Sequence, residues 1–203
     1  MSIAEPTTSV ERQLTEQGRE RKRQLVDAAV ELFTQRGYRS TRISDICTSA
    51  GVAKGLFYWY FPTKLDLFTE LVRSIRQQLR RSQAEAMDAD APAIERIRQG
   101  TAASVLFIAE HATYFALVDV ERAEPGIGDA LRSSGEVYLD DVITLIREAQ
   151  IAGQIPDTDP KLLALGVLGA VSSFSNAWRG GRIDLTADEL AQFVSDWVVR
   201  ALA

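Results

Sequence analysis

Apolar residues recur along the chain with the spacing of an α-helix. The segment 18–37 places them at i, i+3, i+4, i+7 and i+8, on one helix face, at Leu25, Ala28, Ala29, Leu32 and Phe33. Gly37 follows as a C-cap. From residue 93 onward the same period returns in helix after helix, with a break at 124–126 and with Thr186 as the cap of the last helix. No segment alternates with the two-residue period of a strand. The pattern predicts an all-α protein of about nine helices.

The stretch 41–68 predicts two short helices joined by a tight turn, followed by the start of a third. The first has an apolar face of Ile43, Ile46 and Cys47, with Thr41 as its cap. Gly51 supplies the turn. The second, 53–60, mixes one cation with aromatic rings, and Pro62 ends it before Thr63 caps the third. This order predicts a helix-turn-helix, whose second helix enters a DNA major groove.

Charge is distributed unevenly along the chain. The formal net charge is −5. Residues 1–81 hold 14 Lys and Arg against 9 Asp and Glu, a net of +5, whereas residues 82–203 hold 9 against 19, a net of −10. The basic N-terminal part can bind a polyanion such as DNA, while electrostatic repulsion keeps the acidic remainder of the chain away from it.

The segment 88–92, DADAP, is a loop and the one obvious boundary in the pattern. The charged second half of the helix before it is typical of a linker. We divide the chain into a disordered arm, 1–17; a helix-turn-helix DNA-binding head, 18–67; and a helical body for ligand binding and dimerisation, 68–203.

Composition argues against other classes of protein. No run of about 18 apolar residues and no apolar signal region occurs, which predicts a cytoplasmic protein without membrane attachment. Cys47 is the only cysteine, so neither an intrachain disulfide nor a cysteine-rich zinc site can form. The acidic pairs, Asp140 with Asp141 and Asp157 with Asp159, lack a histidine or cysteine partner. We therefore expect no catalytic residues, no metal and no cofactor.

The head resembles that of a known family. The segment GYRSTRISDICTSAGVAKGLFYWYFPTKLDLF, preceded by a helix ending ELFTQRG, is similar over about residues 20–70 to the DNA-binding head of the TetR/AcrR family of bacterial transcriptional repressors. The later helices agree with that family in number, spacing and length. The resemblance implies a homodimer whose last two helices form a four-helix interface. It also implies a ligand cavity in each body, whose occupation releases the protein from its operator.

Helical spacing and the resemblance together select candidate DNA contacts. Lys54, Leu56, Tyr58 and Trp59 are the candidates for reading bases, and Gly55 lets the backbone approach DNA closely. Many family members carry threonine where this chain has Leu56, so we expect an apolar contact to a thymine methyl in place of the hydroxyl contact. Five further candidates contact phosphates and so position the head on DNA: Thr41, Arg42, Ser44, Tyr60 and Lys64. Ala53 is the last candidate and lies on the outer face of the same helix.

The body offers candidates for a ligand cavity. His111, the only histidine, precedes Tyr114, Phe115 and Asp119 at i+3, i+4 and i+8. The other candidates are Phe107, Tyr138, Phe174 and Trp178. His111 can instead be a capping or partly exposed group, and the aromatic residues can be plain core. A cavity of this composition suits a hydrophobic or amphipathic effector. The WRGG sequence at the end of the penultimate helix resembles that of relatives that sense acyl thioesters, but the match is short and a plain C-cap explains it.

The last two helices carry more apolar surface than one exposed side can keep in water. We assign a dimer interface to small and apolar residues of both helices: Leu162, Leu165, Gly166, Gly169, Ser173, Phe193 and Trp197. For the penultimate helix, 162–178, the alternative is an internal core helix without a role in dimerisation.

The leading hypothesis is a dimeric regulator, a repressor, that binds a palindromic double-stranded DNA operator and is released by a small hydrophobic effector. A helical dimer whose head docks on another protein is the alternative, and an all-α enzyme is a third class. Steep weakening of DNA binding by salt would separate the first from the second.

Overall fold

The computed structural model describes residues 15–121 and 126–203, without the side chains of residues 120, 130, 132–135 and 137. Within that part of the chain it contains nine α-helices and no strand, which confirms the all-α prediction. The helices are α1 Glu16–Arg36, α2 Ile43–Ser49, α3 Lys54–Tyr60, α4 Lys64–Ala86, α5 Ala93–Glu110, α6 Ala112–Glu121, α7 Ile127–Ile151, α8 Pro160–Arg179 and α9 Ala187–Leu202.

Helix ends follow local capping chemistry. Thr15 accepts a hydrogen bond from the Gly18 N–H at 3.1 Å, so α1 begins at Glu16, two residues before the predicted start. Residues 1–14 of the predicted arm lie outside the described residues. At the other end Gly37 has φ +79°, and its N–H donates to the Phe33 carbonyl at 2.8 Å. This confirms the predicted C-cap, in a conformation that favours glycine.

The predicted caps of α4 and α9 are also confirmed. Thr63 and Asp66 form a capping box at the start of α4, and Thr186 and Glu189 form one at the start of α9. Of the predicted break at 124–126, residues 124 and 125 lie outside the described part, and Gly126, with φ +85°, precedes α7.

The head core is built from α1, α2, α3 and the start of α4. Phe33, Phe57 and Phe68 are at most 1% exposed, and burial of each such ring stabilises the fold by about 1.5–3 kcal/mol. The same cluster includes Leu71 and Val72 of α4 and Tyr114, Leu117 and Val118 of α6. The predicted boundary at residue 67 therefore lies inside a continuous core that joins head and body.

A second core fills the body, between α5, α7, α8 and α9. α5 lies at its centre, where Ile97, Val105 and Ile108 are buried against Ile146 of α7 and Val194 of α9. α5 and α6 meet at His111 with a bend of 84°. Among the described residues, no single helix has the length and hydropathy to cross a membrane; α5 and α6 meet that measure only as a bent pair.

Candidate DNA-binding face and ligand cavity

The turn between α2 and α3 has the geometry that the sequence predicts. Gly51 has φ +64°, which confirms its assignment to the turn, and the Val52 N–H donates to the Cys47 carbonyl at 2.9 Å. Val52 and Phe57 are buried, and the Phe57 ring lies 5.8 Å from that of Phe61. These contacts anchor one face of α3 and direct the opposite face to solvent.

The outer face of α3 presents one cation and two aromatic rings. Ala53, Lys54 and Gly55 are exposed at the start of the helix. Tyr58 and Trp59 are 48% and 49% exposed. Leu56 and Tyr60 are half-buried against the head core, so each offers only part of its side chain. Aromatic surface left in water on a short helix is typical of a binding face.

Thr41 has a different role from the predicted one. Its side chain is 1% exposed, and its hydroxyl donates to the carbonyls of Gly37 at 2.9 Å and Leu32 at 3.2 Å. The hydroxyl is therefore turned away from solvent and holds the end of α1, which corrects the predicted phosphate contact. Arg42, not Thr41, is the N-cap residue of α2, and its N–H donates to Asp45.

Lys64 also differs from its predicted role. Its amine donates to the carbonyls of Tyr38 at 2.6 Å and Thr41 at 2.8 Å, and it lies 4.3 Å from the centre of the Tyr38 ring. These contacts use the ammonium group inside the head and correct the assignment of Lys64 to phosphate. Arg42 and Ser44 remain exposed beside α3.

A cavity of about 260 Å³ lies between α4, α5, α6, α7 and α8. Four predicted ligand candidates line it, namely Tyr114, Phe115, Asp119 and Tyr138. Apolar side chains such as Ile75, Ile108, Val118 and Leu168 form most of the remaining wall. An apolar cavity with a few polar groups is the usual form of a small-molecule site.

The polar groups of the cavity include residues that sequence reasoning missed. Arg76 interrupts the apolar face of α4 between Val72 and Leu79, and Arg179 ends α8; both line the cavity, as does Ser175. The sequence did contain a signal for Arg76, because a charged residue within the apolar face of a helix is unusual unless it serves a site. For Arg179 the WRGG sequence indicated a helix end and a short resemblance to relatives that sense acyl thioesters, but neither placed the Arg179 side chain at a cavity.

Hydrogen bonds and burial set the chemistry of these groups. Arg179 Nη2 donates to Asp119 Oδ2 at 2.7 Å, and its guanidinium lies 5.7 Å from the Phe115 ring centre. The Tyr138 hydroxyl accepts from Gln83 Nε2 at 2.8 Å. Burial raises the pKa of Tyr114 and of Tyr138, so both phenols stay neutral, and burial lowers the pKa of Arg76.

Four predicted ligand candidates lie away from this cavity. His111 Nδ1 is 2.9 Å from the Phe107 carbonyl oxygen, and the two rings stack at 4.0 Å, so these residues pair with each other at the end of α5. Trp178 Nε1 donates to the Leu185 carbonyl at 2.7 Å. Phe174 packs edge-on against Phe193 and Trp197. None of the four residues lines this cavity, so their assignment as its ligand contacts is corrected, and each has a packing or capping role instead.

One face of α8 and α9 is apolar and open to solvent. Leu162, Leu165, Phe193 and Trp197 are 63%, 49%, 44% and 41% exposed. Gly166, Gly169 and Ser173 lie exposed along α8 at helical spacing. We call these seven residues the α8–α9 face. Within the described part of the chain, no group of three or more His, Cys, Asp or Glu side chains is placed to hold a metal.

Comparison with known proteins matches both parts of the chain. Residues 25–71 match the family model of bacterial regulatory proteins of the tetR family, and residues 90–202 match that of the tetracyclin repressor-like C-terminal domain. The uncharacterised HTH-type transcriptional regulator YhgD of Bacillus subtilis is 25% identical over 187 residues, 91% of this chain and 97% of that protein. The fatty acid metabolism regulator protein of the same organism is 24% identical over 165 residues, 76% of this chain and 81% of that one.

Solved structures show the same fold. A transcriptional regulator of the TetR/AcrR family from Thermobifida fusca aligns with a TM-score of 0.70 at 23% identity, over 91% of this chain and 99% of that one. The regulator FadR from Bacillus subtilis, in complex with stearoyl-CoA, aligns with a TM-score of 0.78 at 22% identity, over 89% and 99%. The two family models together span the head and nearly the whole body, and the chain therefore belongs to the TetR family of bacterial transcriptional regulators, with a DNA-binding helix-turn-helix at its N-terminal end.

Proposed function

We propose that the protein is a cytoplasmic, dimeric repressor that binds a palindromic operator and leaves it when a small hydrophobic or amphipathic effector enters the body. The observation that carries the proposal is the outer face of α3, where exposed Lys54, Tyr58 and Trp59 project from a helix fixed by buried Phe57. A helix held in this way can enter a major groove as a rigid unit.

The proposed DNA contacts divide by chemistry. Lys54, Tyr58 and Trp59 face bases, with the exposed part of Leu56 against a thymine methyl, while Ala53 and Gly55 allow close approach. Arg42, Ser44 and Tyr60 contact phosphates. Thr41 and Lys64 support the head from inside. This division retains the DNA-binding head at 18–67 as a functional unit, although its core continues into α4 and α6.

Dimerisation is supported by the α8–α9 face. The aromatic side chains Phe193 and Trp197 of α9 and two leucines of α8 are exposed to water in the single chain. The neighbouring glycines of α8 permit close approach of another helix. A second copy related by a two-fold axis would bury the same patch on both subunits, and four helices would then meet. Such a dimer presents two α3 helices, which requires an operator with two related half-sites.

Effector response is supported by the position of the cavity. α4 begins in the head, where Lys64 holds Tyr38, and continues into the body, where Ile75, Arg76 and Leu79 line the cavity. A ligand that moves this part of α4 also moves its start. The relatives named for fatty acid regulation, and FadR with stearoyl-CoA, agree with an effector that carries an apolar chain.

The test is selection of DNA from a random library by the purified full chain. We expect enrichment of a palindrome whose half-sites lie roughly 34–36 Å apart, or a larger separation on the same face. The variant Trp59→Ala should enrich no such motif, while Ile151→Ala, which changes an exposed side chain far along α7, should enrich the wild-type motif. Failure of the wild type to enrich any sequence would favour a head that docks on another protein.

A further inference from the structure

Two residues that line the cavity carry buried polar atoms that no described residue satisfies. Arg179 Nε and Nη1 and Ser175 Oγ are buried and find no hydrogen-bond partner among the residues that the structure describes. Both residues line the cavity and lie one helical turn apart on α8. Buried donors without partners cost free energy, and their grouping on one wall indicates that a ligand supplies the acceptor.

The charges of the cavity point to the sign of that ligand. Among the described residues that line it, Arg76 and Arg179 carry positive charge and Asp119 carries negative charge. Asp119 is paired with Arg179, which leaves one positive charge in excess. Among the described residues, Arg76 has one hydrogen bond, a long contact of 3.5 Å from Nη2 to the Leu131 carbonyl. A partly buried excess charge in a largely apolar site is costly unless an opposite charge joins it.

We propose that the effector is a monoanionic amphiphile whose single carboxylate accepts hydrogen bonds from Arg179 and Ser175, with its apolar chain against Ile75, Ile108 and Leu168. The inference rests on the proposed function, since it identifies the ligand class of the same effector cavity. One carboxylate neutralises the excess of one positive charge, whereas a dianionic phosphate would leave the cavity with an excess negative charge. The 260 Å³ volume leaves room for an apolar chain beside the head group.

The test compares decanoate with decanol, which has the same chain and no charge, by titration calorimetry on the full-length protein. Charge-assisted hydrogen bonds should make decanoate bind about 10- to 100-fold more tightly. Arg179→Met should remove this preference and still bind decanol. Arg182→Met, an exposed arginine just beyond α8 and outside the cavity, is the matched control and should keep the wild-type ratio.

Folding of the variants is controlled separately. Because Arg179→Met leaves Asp119 without its partner, the double variant Asp119→Asn with Arg179→Met supplies a second test. Arg76 keeps one excess positive charge in that variant, but the Arg179 donors are gone, so its preference for decanoate should fall well below the wild-type ratio. Equal binding of decanoate and decanol by the wild type would overturn the inference. So would a wild-type preference for decanoate that persists undiminished in either folded Arg179 variant, or tighter binding of decanoyl-CoA than of decanoate.

The inference and the proposed function fail separately. DNA affinity with and without decanoate is measured by fluorescence anisotropy on the selected operator. If decanoate binds through Arg179 and the DNA affinity is unchanged, the carboxylate site stands and the release mechanism fails. If the operator is bound and no carboxylate preference exists, the carboxylate site fails and the DNA-binding function stands.

Discussion

Glu121, at the end of α6, accepts a hydrogen bond from the backbone N–H of Tyr38 at 2.7 Å, and this contact joins the body to the head. Glu121 is only 7% exposed. The Tyr38 carbonyl is held in turn by the Lys64 amine. Both backbone polar groups of Tyr38 are thus fixed from outside α1, the N–H from the body and the carbonyl from the start of α4. This hydrogen bond from Tyr38 to Glu121 adds to the apolar packing of α6 against the head core.

Replacement of Glu121 tests this junction. Glu121→Ala leaves the Tyr38 N–H without its acceptor in a partly buried site, which should lower the free energy of unfolding by about 1–3 kcal/mol. Glu121→Gln keeps an oxygen acceptor and should lose less. Urea unfolding followed by circular dichroism measures both. Equal stability of the alanine variant and the wild type would show that the contact does not hold the head.

Replacement of Lys64 tests whether this residue supports the head or contacts a DNA phosphate. Lys64→Met leaves the Tyr38 and Thr41 carbonyls without their donor, and we expect a loss of about 1–3 kcal/mol in unfolding free energy. The dependence of DNA affinity on salt should keep its wild-type slope. A residue that neutralises a phosphate would instead reduce the slope by about 0.9. A reduced slope with unchanged stability would restore the phosphate contact.

The α8–α9 face should control the oligomeric state. Leu165→Glu together with Trp197→Glu places charge on both helices of the face, so burial against a second copy becomes costly. We expect the variant to be a folded monomer in analytical ultracentrifugation and the wild type to be a dimer. Ile151→Glu is the control, because Ile151 is 88% exposed and lies outside the face. A dimer that persists in the double variant would place the interface elsewhere.

Glu189 should contribute to acid sensitivity. Hydrogen bonds from the Thr186 backbone N–H and hydroxyl hold the pKa of Glu189 below its ordinary 4.5. A carboxyl whose pKa is lowered by folding stabilises the fold above its ordinary pKa, and this stabilisation is lost as pH falls through the lowered value. Between pH 7 and about pH 3 the wild type should therefore lose more stability than Glu189→Gln, which does not titrate. Identical acid dependence of the two urea midpoints would contradict this.

Features that depend on neighbouring residues were predictable from the sequence. Gly37, Gly51, Thr63 and Thr186 end or begin helices through contacts within a few residues, so their types and positions were sufficient. The number and type of helices followed from the apolar period for the same reason. The paired roles of Phe107 and His111 are also local, four residues apart, and the capping alternative for His111 anticipated them.

Features that depend on distant residues were not predictable in this way. Lys64 contacts a carbonyl 26 residues earlier in the chain, and Glu121 a backbone N–H 83 residues earlier. The cavity brings Arg76 and Arg179 together from α4 and α8 through the packing of helices whose relative positions no periodicity gives. Phe174 and Trp178 have the composition of cavity residues, but the direction of α8 places them elsewhere.

DNA affinity as a function of salt, for the wild type and Lys54→Ala, tests the central claim most directly. The logarithm of the wild-type binding constant on the selected operator should fall linearly with the logarithm of salt concentration. Lys54→Ala should weaken specific binding by about 1–3 kcal/mol. Unchanged operator affinity of Lys54→Ala at physiological salt, or a flat salt dependence of the wild type, would contradict a head that binds DNA through α3.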